Sequence, residues 1–179
     1  MGSEERNYSR VDTRIKAYVR RTPFANAKPL FTGCFACDVE EQSTKNLYGS
    51  HIPRELIAFL QGMDEKLNMM LSLLNQGSIQ DDFPIAAEVI EISGAGLQFI
   101  SEESFNKEDT VEMALILSQF PLKVVGIVGQ IQRRLKVNNV PVWVVKFSSV
   151  RDIDREKIVQ FVFQEQREQI RGSRSEADR

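Results

Sequence analysis

The feature that most limits how this chain can fold is a heptad repeat of apolar residues near its middle. The apolar positions follow one another at steps of 4, 3, 4, 3 and 4 residues, and they are Leu56, Leu60, Met63, Leu67, Met70 and Leu74. This spacing lines one side of an α-helix and is typical of a coiled coil. Pro53 suits a first helical turn, and Gly77 with Ser78 suits a helix end. We therefore predict a helix over residues 50–78.

The apolar stripe of this helix needs a partner that buries it, because an isolated helix of this length is marginal in water. Further apolar residues widen the stripe, namely Ile57, Phe59, Leu71 and Leu73. The helix packs either on its own domain or against the same helix of other subunits. No other stretch of the sequence has a matching apolar period, so self-association is favoured. The width of the stripe favours more than two helices. We therefore expect a homo-oligomer, with a tetramer favoured, that forms through the heptad positions.

Most of the remaining sequence is typical of β-strands. The predicted strands are Arg14–Val19, Ile85–Ile92, Gly96–Ser101, Thr110–Leu117, Lys123–Gln132 and Val140–Phe147. The Asn138-Asn139 turn predicts that the last two form an antiparallel hairpin, and a final helix is expected from about Asp152. Residues 22–52 have no clear period. Several short strands joined by turns favour a small barrel or sandwich.

Charge and hydropathy exclude several classes of protein. The net charge is −2, which argues against a general nucleic-acid binder. Residues 1–30 nevertheless hold seven cations and three anions, so the N-terminal end carries +4 and would meet an anionic ligand. No apolar run approaches the roughly twenty residues that span a membrane, and no secretory signal is visible at the N-terminus. We therefore expect a cytoplasmic protein without membrane insertion.

The two cysteines do not indicate a catalytic or metal site. Cys34 and Cys37 form a single CxxC pair, and His51 is the only histidine, whereas a closed zinc site needs four ligands. The pair follows no βαβ pattern of the kind that thioredoxin-like chemistry uses. We expect Cys34 and Cys37 to be two reduced thiols. The alternatives are a metal site shared between subunits and redox chemistry at the pair. With no Gly-rich phosphate loop opening a helix either, we expect neither an enzyme nor a bound cofactor.

Two short motifs point to a function. One is the RxxxR of Arg6-Asn7-Tyr8-Ser9-Arg10, and the other is Glu91-Ile92-Ser93-Gly94-Ala95-Gly96, which leaves its turn as Leu97-Gln98-Phe99. With the C-terminal stretch 154–163 and Gln166-Arg167, they resemble the bacterial PilZ family of cyclic di-GMP receptors. That family carries RxxxR before its first barrel strand and (Asp/Asn)xSxxG at a later turn. The heptad helix, with Asp64-Glu65-Lys66-Leu67 inside it, resembles the atypical tetrameric PilZ branch.

The resemblance implies a fold and a domain plan for nearly the whole chain. The fold would be mainly β with helices: a six-stranded antiparallel PilZ-type barrel with a long inserted coiled-coil helix and a C-terminal helix. Residues 1–179 would form one domain. Residues 1–13 would be an N-terminal arm with RxxxR, residues 50–78 the inserted oligomerisation helix, and residues 83–171 the main strands and C-terminal helix.

The resemblance also implies a binding site for cyclic di-GMP at Arg6, Arg10, Glu91, Ser93 and Gly96. Guanidinium groups suit the ligand's phosphates and guanine faces. The carboxylate of Glu91 is an acceptor for guanine N1–H and N2–H₂, the Ser93 hydroxyl is a donor, and Gly96 leaves room for close approach. Glu91 stands where the family has Asp or Asn, so its carboxylate lies farther out by about 1.5 Å.

Alternative interpretations apply to each motif. The arginines can be a solvated basic arm, and the Ser93–Gly96 segment can be an ordinary hairpin turn. Arg133 and Arg134 could add to the site, although a solvated strand end explains them as well. The leading hypothesis is a cyclic di-GMP receptor or adaptor that changes a surface read by an unidentified protein partner. The alternative is a PilZ-like oligomeric adaptor that binds no nucleotide.

Overall fold

The computed structural model describes residues 8–23, 53–119 and 122–177. In chain order the elements are β1 (Arg10–Arg21), α1 (Arg54–Asp82), β2 (Ile85–Ser93), β3 (Gly96–Ile100), β4 (Thr110–Gln119), β5 (Leu122–Val137), β6 (Val140–Val150) and α2 (Asp152–Ala177). Cys34, Cys37 and His51 lie outside the described residues, as does Arg6.

The six strands form one antiparallel sheet that closes on itself in the order β1-β2-β3-β6-β5-β4. Alternate residues point inward, which is why Val89, Phe99, Val111 and Ile127 are fully buried together. The expectation of a mainly β fold with helices, built on six antiparallel strands, is confirmed.

Strands β5 and β6 form a long antiparallel hairpin. Asn138 and Asn139 have φ angles of 48° and 68°, the left-handed conformation at both central turn positions that a type I′ hairpin requires. Asparagine tolerates this conformation better than most residues. Val137 pairs with Val140 beside the turn, and the pairing continues to Ile127 opposite Val150. The predicted hairpin is confirmed, and both strands are longer than expected.

Helix α1 docks on the outside of the sheet through its C-terminal end. Ile79 and the following Phe83 are buried in a second apolar cluster whose sheet residues are Tyr18, Ala114, Ile116, Leu122 and Val124. The Gln80 amide donates to the Tyr18 hydroxyl at 2.7 Å. The prediction that the helix ends at Gly77 and Ser78 is wrong, because this tertiary packing continues the helix to Asp82 despite the low helix propensity of glycine.

The heptad positions of α1 lie away from that cluster. All six are between 45% and 72% exposed in the single chain, from Leu60 to Leu74. Phe59, Met69 and Leu73 are also exposed, whereas Ile57 is buried. The single chain therefore presents a long apolar helix face to solvent.

Helix α2 covers part of the sheet's interior. Ile158 and Val162 belong to the same apolar cluster as the inward residues of the strands. At the start of this helix the buried Asp154 carboxylate accepts from Arg151 Nε at 2.7 Å, and a carboxylate is favourable at a helix N-terminus. Phe105, in the β3–β4 loop, packs edge-on against Phe99 and Trp143 with ring centroids 5.5 Å away in each case.

Candidate functional site

The second sequence motif forms the tight turn between β2 and β3. The Ser93 hydroxyl donates to the carbonyl oxygen of Gly96 at 3.0 Å and accepts from the backbone N–H groups of Ala95 and Gly96 at 3.3 and 3.2 Å. Serine favours such turns because its hydroxyl replaces a backbone partner. Ser93 therefore holds the turn together whether or not a ligand is present, as the hairpin-turn interpretation requires.

The two glycines of this turn are needed for close approach. A Cβ on Gly96 would collide with the carbonyl oxygen of Val145 on β6, and a Cβ on Gly94 would collide with the ring of Tyr8. Tyr8 is the central residue of the RxxxR motif. The two sequence motifs, far apart in the chain, therefore meet at this turn through the tyrosine ring.

Arg10 and Glu91 form the charged part of the site. Arg10 pairs with Ser93 across β1 and β2, and its Nη1 donates to Glu91 Oε1 at 3.1 Å. The same carboxylate oxygen accepts from Gln98 Nε2 on β3 at 2.8 Å. The Arg10 side chain is 52% exposed and that of Glu91 25% exposed, so a ligand in solvent can reach both. Arg10 lies within β1, which begins four residues earlier than predicted, rather than on an arm that precedes the first strand.

Helix α2 holds the same region by three hydrogen bonds to backbone oxygens. Arg155 Nη1 donates to the Gly94 carbonyl at 2.5 Å, at the β2–β3 turn. Gln166 Nε2 donates to the Arg10 carbonyl at 3.1 Å, and Gln169 Nε2 donates to the Asp12 carbonyl at 2.7 Å. The first turns of α2 thus contact one motif, and its later turns contact the strand that carries the other.

One carboxyl group on this helix has a perturbed acidity. Burial raises the pKa of Glu165 above its ordinary value, and the negative charge of Glu168 raises it further. Glu165 precedes Gln166, which bonds the Arg10 backbone. The perturbed group is therefore next to the contact between α2 and β1.

The sequence did not identify three residues that belong to the site: Tyr8, Gln98 and Arg155. Gln98 had a usable signal, since it follows the turn and lies on the same face of its strand as Gly96. Arg155 had none, because its contact joins residues 61 positions apart.

The two other arginines considered for the site lie farther away. Arg133 is opposite Val144, which is in turn opposite Gln98, so two strand steps separate Arg133 from Gln98. Arg134 lies over the ring of Trp143, with Cζ 5.3 Å from the ring centroid. Arg133 is exposed but is not at a strand end, because β5 continues to Val137. A cation–π contact explains the placement of Arg134.

Within the described residues, no group of three or more His, Cys, Asp and Glu side chains is placed to hold a metal ion. The described part of the chain also contains no helix that is long and apolar enough to cross a membrane.

Comparison with known structures shows similarity in fold. The chain is similar to a tetrameric PilZ domain protein of Xanthomonas campestris that assembles through a helical bundle, with TM-score 0.55, 19% identity and 92% of each chain covered. It is also similar to the Bacillus subtilis inhibitor of motility MotI, with TM-score 0.51 and 10% identity over 91% of this chain. The chain spans about half, 51%, of the length of MotI.

A further match covers a smaller part of the chain. The PilZ domain of Escherichia coli YcgR with cyclic di-GMP matches at TM-score 0.39 and 15% identity, over 53% of this chain and 79% of that one. No curated protein sequence matches the chain.

The family assignment comes from the sequence of the domain itself. The PilZ domain model matches residues 67–164, which is more than half of the chain and includes the Glu91–Gly96 turn but not Arg10. The chain therefore belongs to the PilZ domain family, a family of cyclic di-GMP receptors and adaptors rather than of enzymes.

Proposed function

We propose that this protein is a cyclic di-GMP receptor that binds the nucleotide beside the β2–β3 turn and oligomerises through α1. The observation that carries the proposal is the meeting of Arg10 and Glu91. The two residues are 81 positions apart in sequence, belong to the two motifs, and lie in contact next to Ser93 and Gly96. We place this function in the cytoplasm, as the sequence predicts.

The chemistry of these groups suits a guanine dinucleotide. Arg10 presents a forked donor for a phosphate or for guanine O6 and N7, and Glu91 presents an acceptor for guanine N1–H and N2–H₂. In the free protein these two groups satisfy each other. Their ion pair is largely exposed and so contributes at most about 1 kcal/mol, which charge-assisted bonds to phosphate can replace. Arg6, four residues before Arg10, would add a second guanidinium.

The adaptor without nucleotide is the second candidate, and a specific observation favours it. The Ser93 hydroxyl is already engaged with its own turn, and Glu91 is held by both Arg10 and Gln98. A site whose polar groups are satisfied internally has less to gain from a ligand. Under this interpretation the protein would act only by protein–protein contact through its oligomer.

The proposed tetramer rests on the apolar face of α1. Six heptad positions are exposed in the single chain, and an exposed apolar stripe of this length is expected to be covered in solution. The tetrameric Xanthomonas protein, which assembles through a helical bundle, supports this interpretation by its similar fold. The heptad period of 4 and 3 is the spacing that brings such helices together.

Isothermal titration calorimetry with cyclic di-GMP tests the ligand. The parent protein should bind, and Arg6→Ala and Arg10→Ala should each weaken binding by about 1.5–3 kcal/mol, as the loss of a charge-assisted hydrogen bond does. Arg14→Ala is the matched control for Arg10→Ala, because Arg14 is an exposed arginine on the same strand. If both arginine variants titrate like the parent, the RxxxR motif is not the binding site. If the parent protein does not bind cyclic di-GMP at all, the adaptor that acts without nucleotide remains as the candidate function.

A further inference from the structure

One long stretch of the chain carries positive charge and no acidic residue. Residues 113–151 contain no aspartate or glutamate, and their six cations are Lys123, Arg133, Arg134, Lys136, Lys146 and Arg151. Since the whole chain has a net charge of −2, the residues outside this stretch carry −8. The stretch includes the whole of the β5–β6 hairpin. Positive charge without acidic neighbours in the sequence is therefore concentrated on one hairpin.

The turn end of this hairpin extends past the closed sheet. The pairing of β5 with β4 ends at Gln130, and the pairing of β6 with β3 starts at Trp143. Residues 132–142 have no third strand beside them in the part of the chain that the structure describes, and we call them the ribbon. Two acidic residues, Glu108 and Asp109, meet the hairpin through backbone hydrogen bonds just before the ribbon begins. These two residues therefore lie at the base of the ribbon rather than along it.

The ribbon has an uncharged, partly apolar tip and a basic collar behind it. At the tip, Val137 and Val140 pair beside the Asn138-Asn139 turn and are 44% and 39% exposed. Alternate side chains point to opposite faces of a strand, so the collar has cations on both faces of the ribbon. The collar consists of three exposed residues, Arg133, Arg134 and Lys136.

An anionic lipid bilayer is the partner that fits this order of groups. When the ribbon approaches a bilayer end-on, its apolar tip reaches the headgroup region while the cations behind it stay at the level of the lipid phosphates. Both kinds of group are then satisfied by one approach. Duplex DNA would also attract the cations, but it offers little apolar surface to the two valines.

We propose that the ribbon docks this protein on an anionic lipid bilayer, with its valine tip in the headgroup region and its basic collar on the lipid phosphates. The contact is peripheral, because only the tip of a hairpin enters the bilayer surface. The inference goes beyond the proposed function and holds whether or not a nucleotide binds at the β2–β3 turn.

Vesicle flotation of the full chain tests the contact. The parent protein should float with vesicles of phosphatidylcholine and phosphatidylglycerol in equal parts and should not float with phosphatidylcholine alone. Binding should weaken as salt is added, because salt screens the attraction. Replacing the three collar cations together by glutamine should weaken binding about tenfold or more. The matched control is Arg14→Gln with Lys16→Gln and Lys123→Gln, which removes three exposed cations outside the ribbon and should bind like the parent.

Two variants test the apolar tip separately from the charge. Val137→Ser with Val140→Ser should weaken binding at low and at high salt alike, since it removes no cation. Val140→Trp should strengthen binding, because tryptophan favours the membrane interface, and its indole emission should shift to shorter wavelength when vesicles are added. Trp143, the single tryptophan of the parent chain, is buried and supplies a constant background.

Four results would overturn the inference. One is a parent protein that does not float with the mixed vesicles at low salt. Another is equal weakening by the collar variant and its control, since the effect would then be one of overall charge. Binding of the parent protein to a duplex DNA fragment but not to vesicles would assign the ribbon to nucleic acid instead. An unshifted emission of Val140→Trp on vesicles that it binds would show that the tip stays outside the bilayer.

Discussion

The most direct prediction concerns the seam of α1, formed by its six heptad positions. Replacing Leu60 and Leu67 together by glutamate should dissociate the protein into single chains. Burying a whole leucine side chain contributes about 1.5–3 kcal/mol, and these two leucines are 45% and 54% exposed in the single chain. Assembly can therefore gain roughly 1 kcal/mol from each, and roughly 6 kcal/mol per subunit over the six heptad positions. A carboxylate buried at such a position costs several kcal/mol instead. The double variant thus removes about a third of the gain and adds a larger penalty.

Size exclusion with light scattering measures the outcome. The parent protein should have the mass of a tetramer. The double variant should have the mass of a single chain. Ala58→Glu with Gln61→Glu is the matched control, because it adds the same charge to α1 away from the seam and should leave the mass unchanged. The sheet should stay folded in both variants, since Ile79 and Phe83, which dock α1 on it, are untouched. A monomeric parent refutes the reasoning, and so does a double variant that keeps the parent's mass.

Three further predictions concern the site and its supports. Glu91→Asp should keep or tighten cyclic di-GMP binding and Glu91→Ala should weaken it in calorimetry; an alanine variant of undiminished affinity would show that this carboxylate makes no ligand contact. Gly96→Ala should lower the free energy of unfolding by about 1–3 kcal/mol in urea, since its methyl group meets the Val145 carbonyl, whereas Gly62→Ala in open space on α1 should raise it by about 0.5–1 kcal/mol. The pKa of Glu165 is raised in the folded protein, so its protonated carboxyl group contributes to stability fully below the ordinary pKa of 4.5, and this contribution is lost as pH rises through the raised pKa. Glu165→Gln should therefore raise the melting temperature near neutral pH and leave it unchanged below the ordinary pKa. An equal change at both pH values would contradict this assignment.

Local patterns in the sequence predicted the positions of the strands well, because runs of β-branched and apolar residues bounded by turn residues are local signals. The Asn138-Asn139 turn and its hairpin are of this kind, since turn chemistry is set by neighbouring residues. The end of α1 was misplaced because Phe83 and Ile79 pack against residues of β1, β4 and β5, and that information is not local.

The site shows the same division between local and distant information. The Ser93–Gly96 turn could be read from its residues, but the position of Glu91 opposite Gln98 depends on an irregularity in the β2–β3 register between Val89 and Glu91. A one-residue irregularity redirects side chains, and nothing in the composition of β2 marks it. The early start of β1 at Arg10 likewise depends on pairing with β2.

The three hydrogen bonds from α2 all end on backbone carbonyls, at Gly94, Arg10 and Asp12. Every residue type has a carbonyl, so these bonds do not require an arginine at position 10 or an aspartate at position 12. The side chains that would recognise a nucleotide can change while the closing helix keeps its place. A PilZ domain built in this way can therefore lose or alter its ligand specificity by point substitution and retain its fold, and the assembly proposed for α1 could then serve a function that needs no nucleotide.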